Sequence, residues 1–133
     1  MTERKTVLVA EDDKILRGQM ALILGREYDV ILAKDGAEAL EVYSREAEKI
    51  ALVLTDWGMP VLNGIQLTVR LWRHNPDLPV IIMTGGMDGT DFRGLLEMPN
   101  FAVLCKPFDS YRLKELVKCL VEQRYAMTMG EAR

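Results

Sequence analysis

The chain reads as an α/β protein, a three-layer (βα)5 doubly wound parallel sheet of five strands. Three observations predict this. Five short apolar runs alternate with five stretches of helical spacing, the pattern of parallel βαβ units. The runs are almost continuously apolar, which fits strands covered on both faces. The length of 133 residues suits one domain, and 49% hydrophobic with 28% charged residues supports a core without staples.

Thr6-Val7-Leu8-Val9-Ala10 is a buried strand by its short apolar run. Leu16, Met20, Ile23 and Leu24 follow at helical spacing and end near Gly25. Tyr28 to Ala33 is the second strand. Asp35-Gly36-Ala37-Glu38 opens a helix with an acidic cap and a Glu three residues on. Its predicted inner stripe is Leu40, Tyr43 and Ala47. Ile50 to Thr55 is the third strand. Ile65, Val69 and Trp72 suggest a third helix that closes at His74-Asn75-Pro76. Pro79 to Met83 is the fourth strand. Phe92, Leu95 and Leu96 make a short fourth helix, weakened by Gly89 and Gly94 and stopped by Pro99. Phe101 to Cys105 is the fifth strand. Leu113, Leu116, Val117, Leu120 and Val121 form the last helix, capped by Asp109. The expected domain spans residues 1–125, with 126–133 a frayed tail and no output domain in the chain.

Composition excludes several classes of function. The 17 basic and 20 acidic residues leave a net charge of −3, which argues against direct nucleic-acid or polybasic membrane contact. Its apolar runs fall short of the roughly 18 residues of a membrane span. The N-terminus lacks a signal-peptide apolar region, and the expected compartment is the cytoplasm. Cys105 and Cys119 cannot build a disulfide framework or a zinc cluster, and read as reduced, buried, small apolar side chains.

In such folds ligands bind beyond the carboxyl ends of the strands. Glu11, Asp12 and Asp13 follow the first strand, Asp56 the third, Thr84 the fourth and Lys106-Pro107 the fifth. In the common order 2-1-3-4-5 the first and third strands are neighbours. Glu11, Asp12 and Asp56 then converge. At 4 Å and an effective dielectric of 20, each pair of carboxylates repels by about 4 kcal/mol. A divalent cation offsets that, and an all-oxygen set without a His/Cys cluster points to Mg2+. Mg2+ keeps waters and favours phosphate oxygens, which suggests phosphoryl chemistry.

Four motifs then stand together at strand ends: Val9-Ala10-Glu11-Asp12-Asp13; Leu54-Thr55-Asp56-Trp57-Gly58-Met59-Pro60 through Asn63-Gly64; Met83-Thr84-Gly85; and Lys106-Pro107-Phe108. From about residue 5 to 124 the chain resembles the receiver domain of bacterial response regulators, a flavodoxin-like fold. The resemblance implies that Asp56 accepts a phosphoryl group from a kinase histidine. It implies that Asp12 binds Mg2+ directly, Glu11 mainly through water, and Gly58 through its backbone carbonyl. Thr84 would bond a phosphoryl oxygen, and Lys106 would pair with Asp56 and then with the phosphoryl group. Pro107 would follow a cis bond. The implied partners are a sensor histidine kinase or histidine phosphotransfer protein, and a downstream protein target or output domain. A phosphorylation-dependent homodimer is also within the family's range. The implied role is a switch and not an enzyme, acting through the surface shared by the fourth helix, fifth strand and fifth helix.

The chain departs from the family pattern in places. Val103 stands where Tyr or Phe is frequent, Gly85 where Ala or Ser is common, and Met98-Pro99-Asn100 replaces a Gly-Ala turn. Asp13 is read as a helix cap, and His74 as favourable to a helix C-terminus rather than a phosphotransfer site. Trp57 and Trp72 are read as partly buried packing residues. Two alternatives stand beside this reading: a non-phosphorylated interaction module that keeps the fold, and a small hydrolase with an aspartyl-phosphate intermediate. Charge adds one more pointer to a cation. Three of the 20 acids lie in the proposed pocket, and the remaining 17 match the 17 bases.

Overall fold

A computed structural model describes residues 4–86 and 92–130. The elements are β1 (Thr6–Ala10), α1 (Lys14–Leu24), β2 (Asp29–Ala33), α2 (Gly36–Glu46), β3 (Ile50–Asp56), α3 (Gly64–His74), β4 (Val80–Thr84), α4 (Arg93–Leu96), β5 (Phe101–Cys105) and α5 (Ser110–Gly130). All strand pairs are parallel and the order is β2-β1-β3-β4-β5. This is the doubly wound, flavodoxin-like sheet that the alternation predicts.

Strand pleating sends alternate side chains to opposite faces, and each face has its own core. Val7, Val9, Leu52, Leu54, Ile81 and Met83 pack with Met20 and Leu24 of α1 and with Leu113, Val117 and Leu120 of α5. Leu8, Ala10, Val53, Val80 and Ile82 pack with α2, α3 and Phe92 on the other face. Phe101 closes that side, with Trp72 edge-on at 6.1 Å and Phe92 at 6.1 Å. The inner strands β1, β3 and β4 are buried along almost their whole length, whereas the edge strands β2 and β5 are partly exposed. Among the described residues no helix is long and apolar enough to cross a membrane.

Caps set the helix starts. Asp13 accepts from the N–H groups of Ile15 and Leu16, as its cap reading expects. Asp35 accepts from Glu38 N–H, and Glu38 reaches back to Lys34 N–H. Asp109 accepts from Arg112 N–H at 2.7 Å. Asn63 and Gln66 form a reciprocal capping box on α3, a pairing that no hydropathy pattern announces. His74 ends α3, where its predicted role places it. At the far end of the sheet the Arg4 guanidinium donates to the carbonyls of Gly25 and Tyr28 and pairs with Asp29, pinning the turn into β2.

The inner stripe of α3 is Gly64, Leu67, Thr68 and Leu71. Val69 is 42% exposed, while Ile65 and Trp72 flank the core. Thr68 can take a buried place because its hydroxyl donates to Gly64 O at 2.7 Å. The structure corrects two expectations. First, α2 buries Ala39 and Val42 beside Tyr43, with Leu40 and Ala47 only partly covered. Second, Cys105 and Cys119 are exposed. Cys105 ends an edge strand, and Cys119 falls off the Leu113–Val117–Leu120 stripe of α5. α5 itself runs to Gly130. Met87, Asp88 and Gly89, expected to continue a glycine-rich loop after Thr84, lie outside the described residues.

Val61 is the one non-glycine residue with positive φ among the described residues, at 72°. Leu62 N–H donates to Pro60 O at 2.8 Å, so Val61 sits at the centre of a strained γ-turn. It is β-branched and 87% exposed, with no packing to offset the strain. Val61→Gly is therefore expected to raise stability by about 1 kcal/mol, since glycine takes positive φ without a Cβ clash. Chemical denaturation checks it; an unchanged or lower unfolding free energy would place the strain elsewhere.

Candidate functional site

The carboxyl ends of β1, β3, β4 and β5 meet on one side of the sheet. β3 and β4 each run one residue beyond the predicted strands. Asp56 pairs in register with Met83, and Thr84 with Cys105. Trp57 N–H donates to Met83 O, and Lys106 N–H to Thr84 O. Asp56 and Thr84 are thus held by ladder hydrogen bonds and are not free loop residues. Gly64 lies close behind: a Cβ there would come within 2.8 Å of Asp56 O and 3.1 Å of Trp57 Cα. Only glycine lets α3 start this near the end of β3.

Glu11, Asp12 and Asp56 converge as predicted, with one carboxylate oxygen from each lying within 4.8 Å of the other two. Glu11 is 1% exposed, Asp56 9%, and Asp12 faces solvent. Lys106 enters from β5. Its Nζ stands 3.0 Å from Asp56 Oδ1 and 3.7 Å from Glu11 Oε1. Glu11 Oε2 accepts from Asp13 N–H at 3.0 Å, while Oε1 is buried without a hydrogen bond. Burial pushes the Glu11 carboxyl up from 4.5 to about 7. The Asp13 N–H opposes that rise, the Asp56 charge and the Asp12 contact add to it, and Lys106 lowers it.

The Thr84 side chain is buried and lies at the rim. Its hydroxyl donates to Gly86 O at 2.6 Å and receives the Gly86 N–H at 3.3 Å. Gly58 lies exposed in the loop after β3, with open space around it. The Lys106-Pro107 bond is cis. Trp57 and Trp72 are half-buried; Trp72 Nε1 donates to Leu78 O, whereas Trp57 Nε1 is buried without a partner. Arg17 carries no motif, yet its Nη1 donates to the carbonyl oxygens of Glu11 at 2.8 Å and Asp12 at 3.4 Å. The signal in the sequence was a cation close to a helix N-terminus, where it opposes the dipole.

A parallel sheet of order β2-β1-β3-β4-β5 with an acidic cluster and a lysine at its carboxyl edge is the arrangement that the resemblance to receiver domains implies. The chain belongs to the response regulator receiver domain family, which residues 7–118 match. It is 34% identical over 118 residues to the transcriptional regulatory protein GlrR of Escherichia coli (strain K12), covering 88% of this chain and 26% of GlrR. It is 39% identical over 119 residues to the response regulator protein FleR of Pseudomonas aeruginosa, covering 84% of this chain and 23% of FleR. Against the sensor kinase CckA of Brucella abortus it is 32% identical over 120 residues, covering 90% of this chain and 13% of CckA. The chain therefore spans about a quarter or less of these relatives. Among solved structures, a response regulator receiver domain protein from Clostridium thermocellum superposes with a TM-score of 0.86 at 22% identity, over 92% of this chain and 98% of that one. The receiver domain of the hybrid histidine kinase CckA gives 0.73 at 29% identity, over 87% and 98%.

Proposed function

We propose that the chain is a Mg2+-dependent phosphorylation switch in which Asp56 accepts a phosphoryl group from a histidine of a sensor kinase or phosphotransfer protein. The observation that carries this is Lys106 Nζ standing 3.0 Å from Asp56 Oδ1 beside Glu11 and Asp12. The donor set suits the ion: it is all oxygen, it is tightly spaced, and one buried oxygen of Glu11 lacks a hydrogen bond. Glu11, Asp12, Asp56 and the Gly58 carbonyl would hold Mg2+, which supplies neutralising charge for the transferring phosphoryl oxygens.

The residues of the chain do the rest. An Asp56 oxygen attacks phosphorus, and the bond to the donor nitrogen breaks. Lys106 steadies the charge on the phosphoryl oxygens. The Thr84 hydroxyl turns from Gly86 O to the new acceptor and draws Gly85 and Gly86 with it. That pull would reach the surface shared by α4, β5 and α5, where Leu96, Met98 and Tyr111 are exposed. Val103 packs against the core on the α3 side, so the position three residues before Lys106 supplies no aromatic ring to the switch. The chain is a switch and not an enzyme, and it delivers its signal to a protein target or output domain in the cytoplasm.

Incubating the chain with Mg2+ and a small phosphodonor is expected to add one phosphoryl group, located on Asp56 by peptide mass mapping. An unmodified wild type, or equal modification of Asp56→Asn, would sink this reading in favour of an unphosphorylated interaction module.

A further inference from the structure

We propose that Arg17 is a positioning residue that holds the acidic turn of Glu11 and Asp12 in the geometry that binds Mg2+; this rests on the metal site proposed above. Arg17 is the fourth residue of α1, and its own N–H donates to Asp13 O at 2.9 Å. A cation so near a helix N-terminus opposes the macrodipole, so helix stability does not account for it. The side chain instead folds back toward the helix start, the direction that helical side chains take. There Nη1 bonds the carbonyl oxygens of Glu11 and Asp12.

Two features separate Arg17 from Lys106. Lys106 contacts the carboxylate oxygens of Asp56 and Glu11 themselves, so it shares those oxygens with any bound cation. Arg17 grips only main-chain oxygens and leaves the carboxylates free. The turn is otherwise held from the β2 side, by Glu11 N–H on Ala33 O, and from within, by Asp13 N–H on Glu11 Oε2. Asp12 is exposed, and Arg17 ties its carbonyl to α1. Mg2+ demands near-ideal octahedral geometry and gives up water reluctantly, so a small displacement of two of its carboxylates is costly. A guanidinium suits the task because it stays charged and offers donors in a rigid plane.

Calorimetric titration of Mg2+ into the metal-free full chain at pH 8 tests this. Arg17→Ala is expected to raise Kd about tenfold, the usual scale for residues that orient metal ligands. Arg17→Lys, which keeps one cationic donor, is expected to return Kd to within about threefold of wild type. At saturating Mg2+, phosphoryl uptake by Arg17→Ala should recover to within about twofold of wild type, because the deficit lies in metal binding. An unchanged Kd overturns the proposal. So does uptake that stays slow at saturating Mg2+, which would place Arg17 at the phosphodonor. If Arg17→Ala does not fold, Arg17→Gln replaces it with the same expected rise. A wild type that binds no Mg2+ overturns the metal site itself, whereas wild-type binding with unaltered variants removes only the role of Arg17.

Discussion

Replacing Lys106 with methionine is expected to slow phosphoryl uptake on Asp56 by about a hundredfold or more, the scale for removing one preorganised charge stabiliser from a transition state. Methionine keeps most of the length and apolar stem and removes the ammonium, so packing at the end of β5 is largely retained. What is lost is the cation 3.0 Å from Asp56 Oδ1 and 3.7 Å from Glu11 Oε1. In a loose phosphoryl-transfer transition state the charge spreads over three oxygens, and positioned cations do most of the catalysis. Pre-steady-state uptake from a small phosphodonor at saturating Mg2+ measures the effect. A rate within threefold of wild type would show that the Lys106 ammonium is a static partner of two acids with no part in transfer.

The second large effect concerns pH and Glu11. Its carboxyl is raised from 4.5 to about 7, chiefly by burial. The proton that Glu11 holds below that value removes a charge the metal needs, so Mg2+ affinity should fall about tenfold between pH 8 and pH 6. The stability of the metal-free chain moves the opposite way. A carboxyl whose folded value is raised binds protons more readily in the native state. Its contribution is fully present below 4.5 and is lost as pH rises through 7. The shift corresponds to roughly 3 kcal/mol. Glu11→Gln should therefore stabilise the metal-free chain at pH 8 relative to wild type and leave it little changed at pH 4. It should also weaken Mg2+ binding and flatten its pH profile. Calorimetry at the two pH values and urea unfolding in chelator read both arms. Mg2+ affinity that is flat between pH 6 and 8 would refute the coupling.

The architecture and the chemistry were legible in the sequence because each rests on local pattern. Apolar runs such as Val80-Ile81-Ile82-Met83 declare a strand buried on both faces. Short polar residues declare their caps at Asp13, Asp35 and Asp109. The βαβ alternation declares a parallel sheet, and the common order 2-1-3-4-5, which the structure has, brings Asp56 beside Glu11 and Asp12. Periodicity marks α3 as a helix without fixing which of its faces is buried. Thr68 reads as polar, yet it satisfies its own hydroxyl within the helix and goes inside, displacing Val69 to solvent. The two cysteines look like core residues by type, and their places on an edge strand and an outer helix face expose them.

The sequence by itself determined the fold class, the family pattern and the acids and lysine of the pocket, because those depend on residue type and spacing along the chain. Tertiary structure decided how charge is balanced within the pocket. Lys106 spans two carboxylates that lie far from it in sequence, Glu11 is buried deeply enough to hold a proton near neutrality, and Arg17 turns back to brace the acidic loop. Desolvation and Coulomb energies depend on burial and through-space distance, and neither is written in the order of the residues.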